Sequence, residues 1–278
     1  MSNFVNKAIT TNLNDLKSSH LYRSLVCEFI GTFILIFMGC FSIITWNRSE
    51  PPSLVAIALC FGIIIAILAT AFGGISGCHI NPAVSLGFLV TRRISLIRFL
   101  LYAIVQAAAA IAGAKLLYEL TPEGPRRELQ VVVMPLPGIS DSNAAFVEFF
   151  LTFLLMFTVY ACIDGGKPVA HGTAPFIIGL SVTTGVFSAG LYSGGCMNPI
   201  RALGPAVVQN YWRHHWVYWV GPMMGAVVAA LLYDLLFDTA ASLRKLKLFF
   251  TSLDYDANSF YVKPREKIDA SDLEKLRS

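Results

Sequence analysis

Two short segments hold the residue types from which the chemistry of this chain can be read. They are Asn81-Pro82-Ala83 and Asn198-Pro199-Ile200, the second followed at once by Arg201. Proline suits the first turn of a helix, and asparagine is a good N-cap. Capping alone would therefore explain each Asn-Pro pair. Both pairs, however, begin apolar stretches, near 81–91 and 198–209. A polar amide at membrane depth is costly unless it has a use. An arginine there, three residues after Asn198, is costlier still; the plain alternative is a snorkelling side chain at the interface. The chemistry on offer is hydrogen-bond donation to a neutral polar guest, not bond breaking. No Ser/His/Asp set, zinc cluster or phosphate-binding glycine loop appears, so an enzyme is the least favoured class and no cofactor or metal is implied.

The elements that must position these residues follow from composition. Of 278 residues, 55% are hydrophobic and only 14% charged, against about 25% charged in soluble chains. The apolar residues fall in runs near 22–46, 53–73, 97–119, 144–163, 173–193 and 215–237. Each run approaches the ~20 residues that a helix needs to cross a bilayer. The stretches 81–91 and 198–209 are half that length and read as half-helices that enter the membrane and turn back. The expected fold is an all-α membrane protein with six spans and two re-entrant half-helices.

The chain also repeats itself. Glu28-Phe29-Ile30-Gly31-Thr32-Phe33 recurs as Glu148-Phe149-Phe150-Leu151-Thr152-Phe153. Ser76-Gly77-Cys78-His79-Ile80-Asn81-Pro82 recurs in outline as Ser193-Gly194-Gly195-Cys196-Met197-Asn198-Pro199, and Leu116-Leu117-Tyr118 as Leu231-Leu232-Tyr233. The order is the same and the offset almost constant. Three spans per repeat is an odd number, so the halves lie inverted, and inverted repeats with broken helices place a site at the midplane. The repeats cover about 21–119 and 144–237, within a channel domain at 21–237.

The paired Asn-Pro boxes, the repeat and the span count together resemble the aquaporins over about residues 20–237. Ser193-Gly-Gly-Cys-Met-Asn-Pro, Gly204-Pro-Ala-Val-Val208 and Trp212-Arg-His-His-Trp-Val-Tyr-Trp219-Val-Gly-Pro further resemble the aquaporin-8 branch. The resemblance implies a passive pore for water. Asn81 and Asn198 would then offer side-chain N–H groups to the passing oxygen, while two half-helix N-termini direct positive charge at the same point. Such an arrangement repels cations and breaks a proton wire. By alignment the outer filter is Phe61, Val186, Gly195 and Arg201, where the branch has His, Ile, Gly or Ala, and Arg. The small Val186 and Gly195 and the apolar Phe61 favour small neutral solutes, such as hydrogen peroxide or ammonia, besides water. Glycerol is less favoured, because Ala202 stands where the glycerol branch usually has Asp.

Two departures stand out. Ile200 replaces the family's alanine and is expected to shift or widen the contact between half-helices. Cys196 lies two residues before Asn198, where a mercury-sensitive cysteine commonly lies three before. The resemblance also implies a homotetramer in a lipid bilayer. His79 is read as facing one mouth of the pore, with a pH response and a structural role left open. Glu28 and Glu148, one in each repeat, read as braces that accept hydrogen bonds from non-helical backbone, and Gln106 as a similar brace. Their alternative is a proton-coupled carboxylate in an inverted-repeat transporter. A junctional or scaffold protein is the third reading.

The six cysteines are scattered through apolar runs and suit packing rather than disulfides or zinc. The net charge of +4 carries no basic stripe interleaved with aromatics, so nucleic acid is not implied as a partner. The polar first 20 residues lack an apolar core and are expected to carry no cleavable signal. Lys7, Lys17, Arg23, Arg92, Arg93, Arg98, Lys167, Arg244, Lys245 and Lys247 outnumber Arg48, Arg126, Arg127 and Arg213 on the opposite side. Both termini are therefore expected in the cytoplasm, with the plasma membrane as the first expectation for location. Asn47-Arg48-Ser49 becomes an outward sequon. Residues 1–20 and 238–278 read as cytoplasmic segments. The stretch Leu243 to Phe250 is read as a plain solvated tail in preference to an amphipathic surface helix.

Overall fold

The computed structural model describes residues 2–47, 49–124, 130–167 and 170–261. Arg48, Arg126, Arg127 and the tail beyond 261 lie outside the described residues.

Six helices are long and apolar enough to cross a membrane. After an N-terminal helix α1 (Ser2–Lys17), the first repeat contributes α2 (Ser19–Phe41), α3 (Leu54–Ser76) and α5 (Leu96–Leu120), with the half-helix α4 (Pro82–Val90) between the last two. The second contributes α6 (Asp141–Ile163), α7 (Ala170–Ala189), the half-helix α8 (Pro199–Gln209) and α9 (Val217–Leu232), which ends in a π-helical turn (Tyr233–Phe237). In hydrocarbon no water satisfies a backbone group, so each span closes its own hydrogen bonds. Serines mark several starts: Ser53, Ser95 and Ser140 accept from Ala56, Arg98 and Asn143 N–H. The first span stops at Phe41, short of the expected residue 46, because the chain turns at 42–43. The fifth stops at Ala189, short of 193.

Small residues let the spans close on one another. A Cβ on Gly62 of α3 would lie 2.6 Å from the Gly179 carbonyl of α7, and one on Gly179 would lie 2.4 Å from the Gly62 carbonyl. Gly113 of α5 meets the Phe33 carbonyl of α2, and Gly225 of α9 meets the Phe149 carbonyl of α6. Backbones that approach this closely gain packing that lipid cannot supply.

The polar residues 1–20 contain α1, which docks on the start of α5, where Asn12 accepts the Ile97 N–H at 2.9 Å. Residues 239–261 were expected to be solvated and instead pack on the bundle. They form α10 (Leu243–Thr251) and a 3-10 turn (Ala257–Phe260). Lys245 of α10 is wholly buried, 3.4 Å from both Asp234 and Asp238. Tyr255 donates to Asp234 at 3.2 Å, and Tyr261 to Asp238. A lysine with two carboxylate partners can be buried where an isolated one cannot, so the clasp forms against the polarity of its sequence.

Candidate functional site

The site begins with the two half-helices. Asn81 caps α4, its Oδ1 taking the Ala83 N–H at 2.9 Å. Asn198 caps α8 the same way, from Ile200 N–H at 3.1 Å. Both are in extended backbone and each is followed by proline at the first helical position. The amide nitrogens cross over: Asn81 Nδ2 donates to the Met197 carbonyl at 2.8 Å, and Asn198 Nδ2 to the Ile80 carbonyl at 2.9 Å. Each box thus holds the residue just before the other. An amide carries two N–H groups, so each asparagine keeps a second donor for the cavity it lines.

The backbone ahead of each box has to turn sharply. Cys78 and Ile80 have φ of 49° and 42°, and Met197 has 54°, as do few non-glycine residues. Buried glutamates hold these turns. Glu28 Oε1 accepts from Ser76 Oγ (2.6 Å) and His79 N–H (2.9 Å), and Oε2 from Ile80 N–H (2.6 Å) and Gln106 Nε2 (2.8 Å). Glu148 accepts from Ser193 Oγ (2.7 Å), Cys196 N–H (2.9 Å) and Met197 N–H (2.8 Å). Every partner is a donor, which suits an acceptor-only carboxylate. The two braces match across the repeat except for Gln106. On the outer side of each brace a tyrosine closes the loop: Tyr102 donates to the Ser76 carbonyl at 2.8 Å and Tyr218 to the Ser193 carbonyl at 2.7 Å.

A cavity of about 330 Å³ runs through the bundle past both asparagines. Phe61, Val186, Gly195 and Arg201 all line it, as do His79 and Cys196. Arg201 is 7% exposed, donates through Nη1 to the Val131 carbonyl at 3.0 Å, and lies 5.4 Å from the centre of the Phe61 ring. Gly195 has φ +57°, and a Cβ there would sit 3.0 Å from Val186 Cα. The carbonyl-tethered guanidinium thus lies over the apolar Phe61 ring, with Val186 on the same cavity wall. His79 accepts or donates through Nδ1 with Ser85 Oγ at 3.0 Å and stacks on Phe88 with ring centres 4.5 Å apart. Cys196 Sγ donates to the Asn198 carbonyl at 3.1 Å.

Other box residues serve the scaffold. Pro82, Ala83 and Pro199 are buried and do not line the cavity. Ile200 was expected to shift or widen the contact between half-helices. Its side chain is fully buried in the core, and the crossed asparagine bonds are 2.8 and 2.9 Å long. The two half-helices are joined by the bonds from Asn81 and Asn198 to backbone carbonyls. Asn47 is exposed, and its Oδ1 accepts from Ser49 Oγ at 2.8 Å.

One element was missed from the sequence. Residues 130–134 fold against the cavity near Arg201, where Val132, Val133 and Met134 line it and Val131 anchors Arg201. The apolar run Val131-Val132-Val133-Met134 outside any span was the available signal. Among the described residues no group of three or more metal-ligating side chains occurs, and all six cysteines are free.

Inverted repeats, crossed half-helices and one cavity between them define a polytopic membrane protein built around a narrow central path. The description "Major intrinsic protein" matches residues 15–233, and the chain belongs to that family, the aquaporins among its members. It is 38% identical to mouse aquaporin-4 over 259 residues, 91% of this chain and 80% of that one. It is 39% identical to rat aquaporin-2 over 246 residues (88% and 90%), and 37% to the sheep lens fiber major intrinsic protein over 222 (80% and 84%). These relatives do not bear specifically on the aquaporin-8 branch. The X-ray structure of the aquaglyceroporin from Plasmodium falciparum superposes with a TM-score of 0.70 at 24% identity, covering 78% of this chain and 97% of that one. That likeness concerns the fold.

Proposed function

We propose that this protein is a passive channel for water and small neutral solutes, hydrogen peroxide and ammonia among them, and that it excludes protons and ions. The observation that carries the reading is the pair of crossed asparagines, each at a half-helix N-terminus, inside one cavity that continues to Arg201. Two positive helix ends and spare amide donors replace part of a water molecule's hydrogen bonds while opposing a cation. Arg201 adds a fixed positive charge at the constriction. The apolar Phe61–Val186 wall, with no side chain on Gly195, supports entry of neutral solutes that need few donors.

A proton-coupled carrier needs an ionisable group that can exchange its proton along the path. Glu28 and Glu148 are engaged by structural donors and do not line the cavity, which supports the channel reading over coupling. Within the proposal, both termini face the cytoplasm of a plasma-membrane protein, four copies assemble with one pore each, Asn47 is open to glycosylation and Cys196 to mercury.

The test is stopped-flow light scattering on proteoliposomes. Osmotic shrinkage much faster than in empty vesicles, with a low activation energy and no pH change in the lumen, is the expected result. Shrinkage equal to that of empty vesicles, with correctly assembled protein, overturns the water reading. Peroxide and ammonia entry are then measured in the same vesicles, and accumulation of either against its gradient would mark a coupled carrier.

A further inference from the structure

The two terminal segments meet over the turn that follows the first half-helix. Asp15 of α1 accepts from Ser95 Oγ at 2.6 Å and from the Arg98 guanidinium, with Nε 3.0 Å from Oδ2. From the other side, Arg92 Nη1 donates to the Phe249 and Ser252 carbonyls, 2.9 Å each. Lys7 of α1 pairs with Asp254. Beside the Asp15–Arg98 contact lies a second, open cavity of about 550 Å³, apart from the pore. Its wall holds Arg92, Arg93 and Arg98 against one carboxylate, Asp15, together with the hydroxyls of Ser18 and Ser95.

The charges around it do not cancel. Arg98 pairs with Asp15. Arg93 lies 2.7 Å from Asp234 and 3.9 Å from Asp238, but Lys245 shares both of those aspartates from behind. Arg92 meets only carbonyl oxygens and the face of Tyr255, 5.3 Å from the ring centre. Four cations thus face three carboxylates, and the surplus sits at Arg92. Arg93 lines the same wall, while its Nε lies buried behind it with no hydrogen-bond partner. Ser18, the N-cap residue of α2, makes no capping bond, so the start of that helix is uncapped at the cavity.

We propose that this cavity binds a phosphate ester, with phosphoryl oxygens held by Arg92, Arg93, the Ser18 hydroxyl and the open N-terminus of α2. Arginine's planar fork matches phosphoryl oxygens, and a helix N-terminus favours the same charge. A volume this size holds the ester's substituent as well as the phosphoryl group. The same chemistry arrives from two sources, a phosphoinositide headgroup in the adjoining leaflet or a soluble inositol phosphate. Either would tie α1 and α10 to the turn after α4.

The test is thermal unfolding of the full-length protein in detergent, titrated with inositol hexakisphosphate, and repeated in phosphatidylcholine nanodiscs with or without phosphatidylinositol bisphosphate. Neither readout depends on conduction or on which side the termini face. The wild type is expected to show a saturable rise in Tm. Arg92→Gln should weaken binding about tenfold, as loss of one charge-assisted bond does. Ser18→Asp keeps a good N-cap for α2, so its unliganded Tm should hold or rise, while its carboxylate removes the response. Arg244→Gln/Lys247→Gln, on the exposed face of α10, should respond like wild type. A response to the lipid alone, lost in Ser18→Asp, assigns the headgroup; a response to both assigns the shared group. The proposal is overturned if neither probe raises Tm, if Ser18→Asp responds undiminished, or if the Arg244/Lys247 variant loses as much as Arg92→Gln.

Discussion

Replacing Glu28 by glutamine tests whether a buried carboxylate sets the geometry of the first Asn-Pro box. Glutamine has the same shape but puts an NH2 where one oxygen was. Turned toward the Oε1 position, that NH2 meets Ser76 Oγ, which can rotate to accept, and the His79 N–H, which cannot. Turned toward Oε2, it meets Gln106, which can present its unpartnered Oε1, and the Ile80 N–H, which cannot. Either way one backbone N–H is orphaned, and the remaining bonds lose their charge assistance. An orphaned buried donor costs about 1–3 kcal/mol, and charge-assisted bonds are about twice as strong as neutral ones. We expect a local loss near 3 kcal/mol, about a hundredfold in the opening equilibrium of residues 76–80. Because the Ile80 carbonyl receives Asn198 Nδ2, the pore centre should loosen as well. Hydrogen exchange read by mass spectrometry gives the assay: peptides over 76–81 should exchange about a hundredfold faster, while those over 193–197, braced by Glu148, change little. Unit water permeability should fall in the same variant. Unchanged exchange at 76–81 in a folded Glu28→Gln protein would refute the brace.

Three further outcomes follow from other parts of the structure. Arg201→Val removes the only charged group at the constriction among the described residues and frees the Val131 carbonyl; stopped-flow assays should show urea or glycerol entry that the parent lacks, and flux unchanged in both would remove Arg201 from the filter. Gly62→Ala puts a Cβ 1.8 Å from Thr183 Oγ1 and 2.6 Å from the Gly179 carbonyl, so α3 and α7 must part; a collapse in the yield of monodisperse protein, or a large drop in Tm, is expected on size-exclusion chromatography and thermal unfolding. Acid should loosen the terminal segments. Burial pushes the Asp164 carboxyl up, but the Thr239, Gly166 and Tyr233 donors outweigh it and hold it below the ordinary carboxylate value; Asp15 is held down likewise by Arg98 and Ser95. A carboxyl depressed in the folded state contributes stability above its unfolded value, about 4, and loses it as pH falls through the lower folded value. Limited proteolysis of α1 and residues 239–261 should therefore be flat from neutral pH to about 5 and rise only below about 4. Cleavage that rises near pH 6 would contradict this.

Much of the channel was legible before any coordinates. Long apolar runs must be helices, because hydrocarbon leaves the backbone no other way to bond. Asn-Pro marked both half-helices, since the cap and the proline act within a few residues. The repeated Glu28 and Glu148 pointed to paired braces because an inverted fold needs the same support twice. What local patterns could not show were contacts made by groups every residue possesses. The Val131 carbonyl that tethers Arg201 has no signature, and the loop 130–134 offered only an apolar run with no stated place. The size of Ile200 is visible in the sequence, but its complete burial in the core is not. Lys245 looked solvated because its two aspartate partners are brought to it only when the π-helical turn and α10 fold against each other. Spans, half-helices and the residues with chemistry follow from patterns within a few turns of chain. The tertiary structure alone decided which carbonyls and carboxylates they meet, because those meetings depend on distances between segments far apart in the chain.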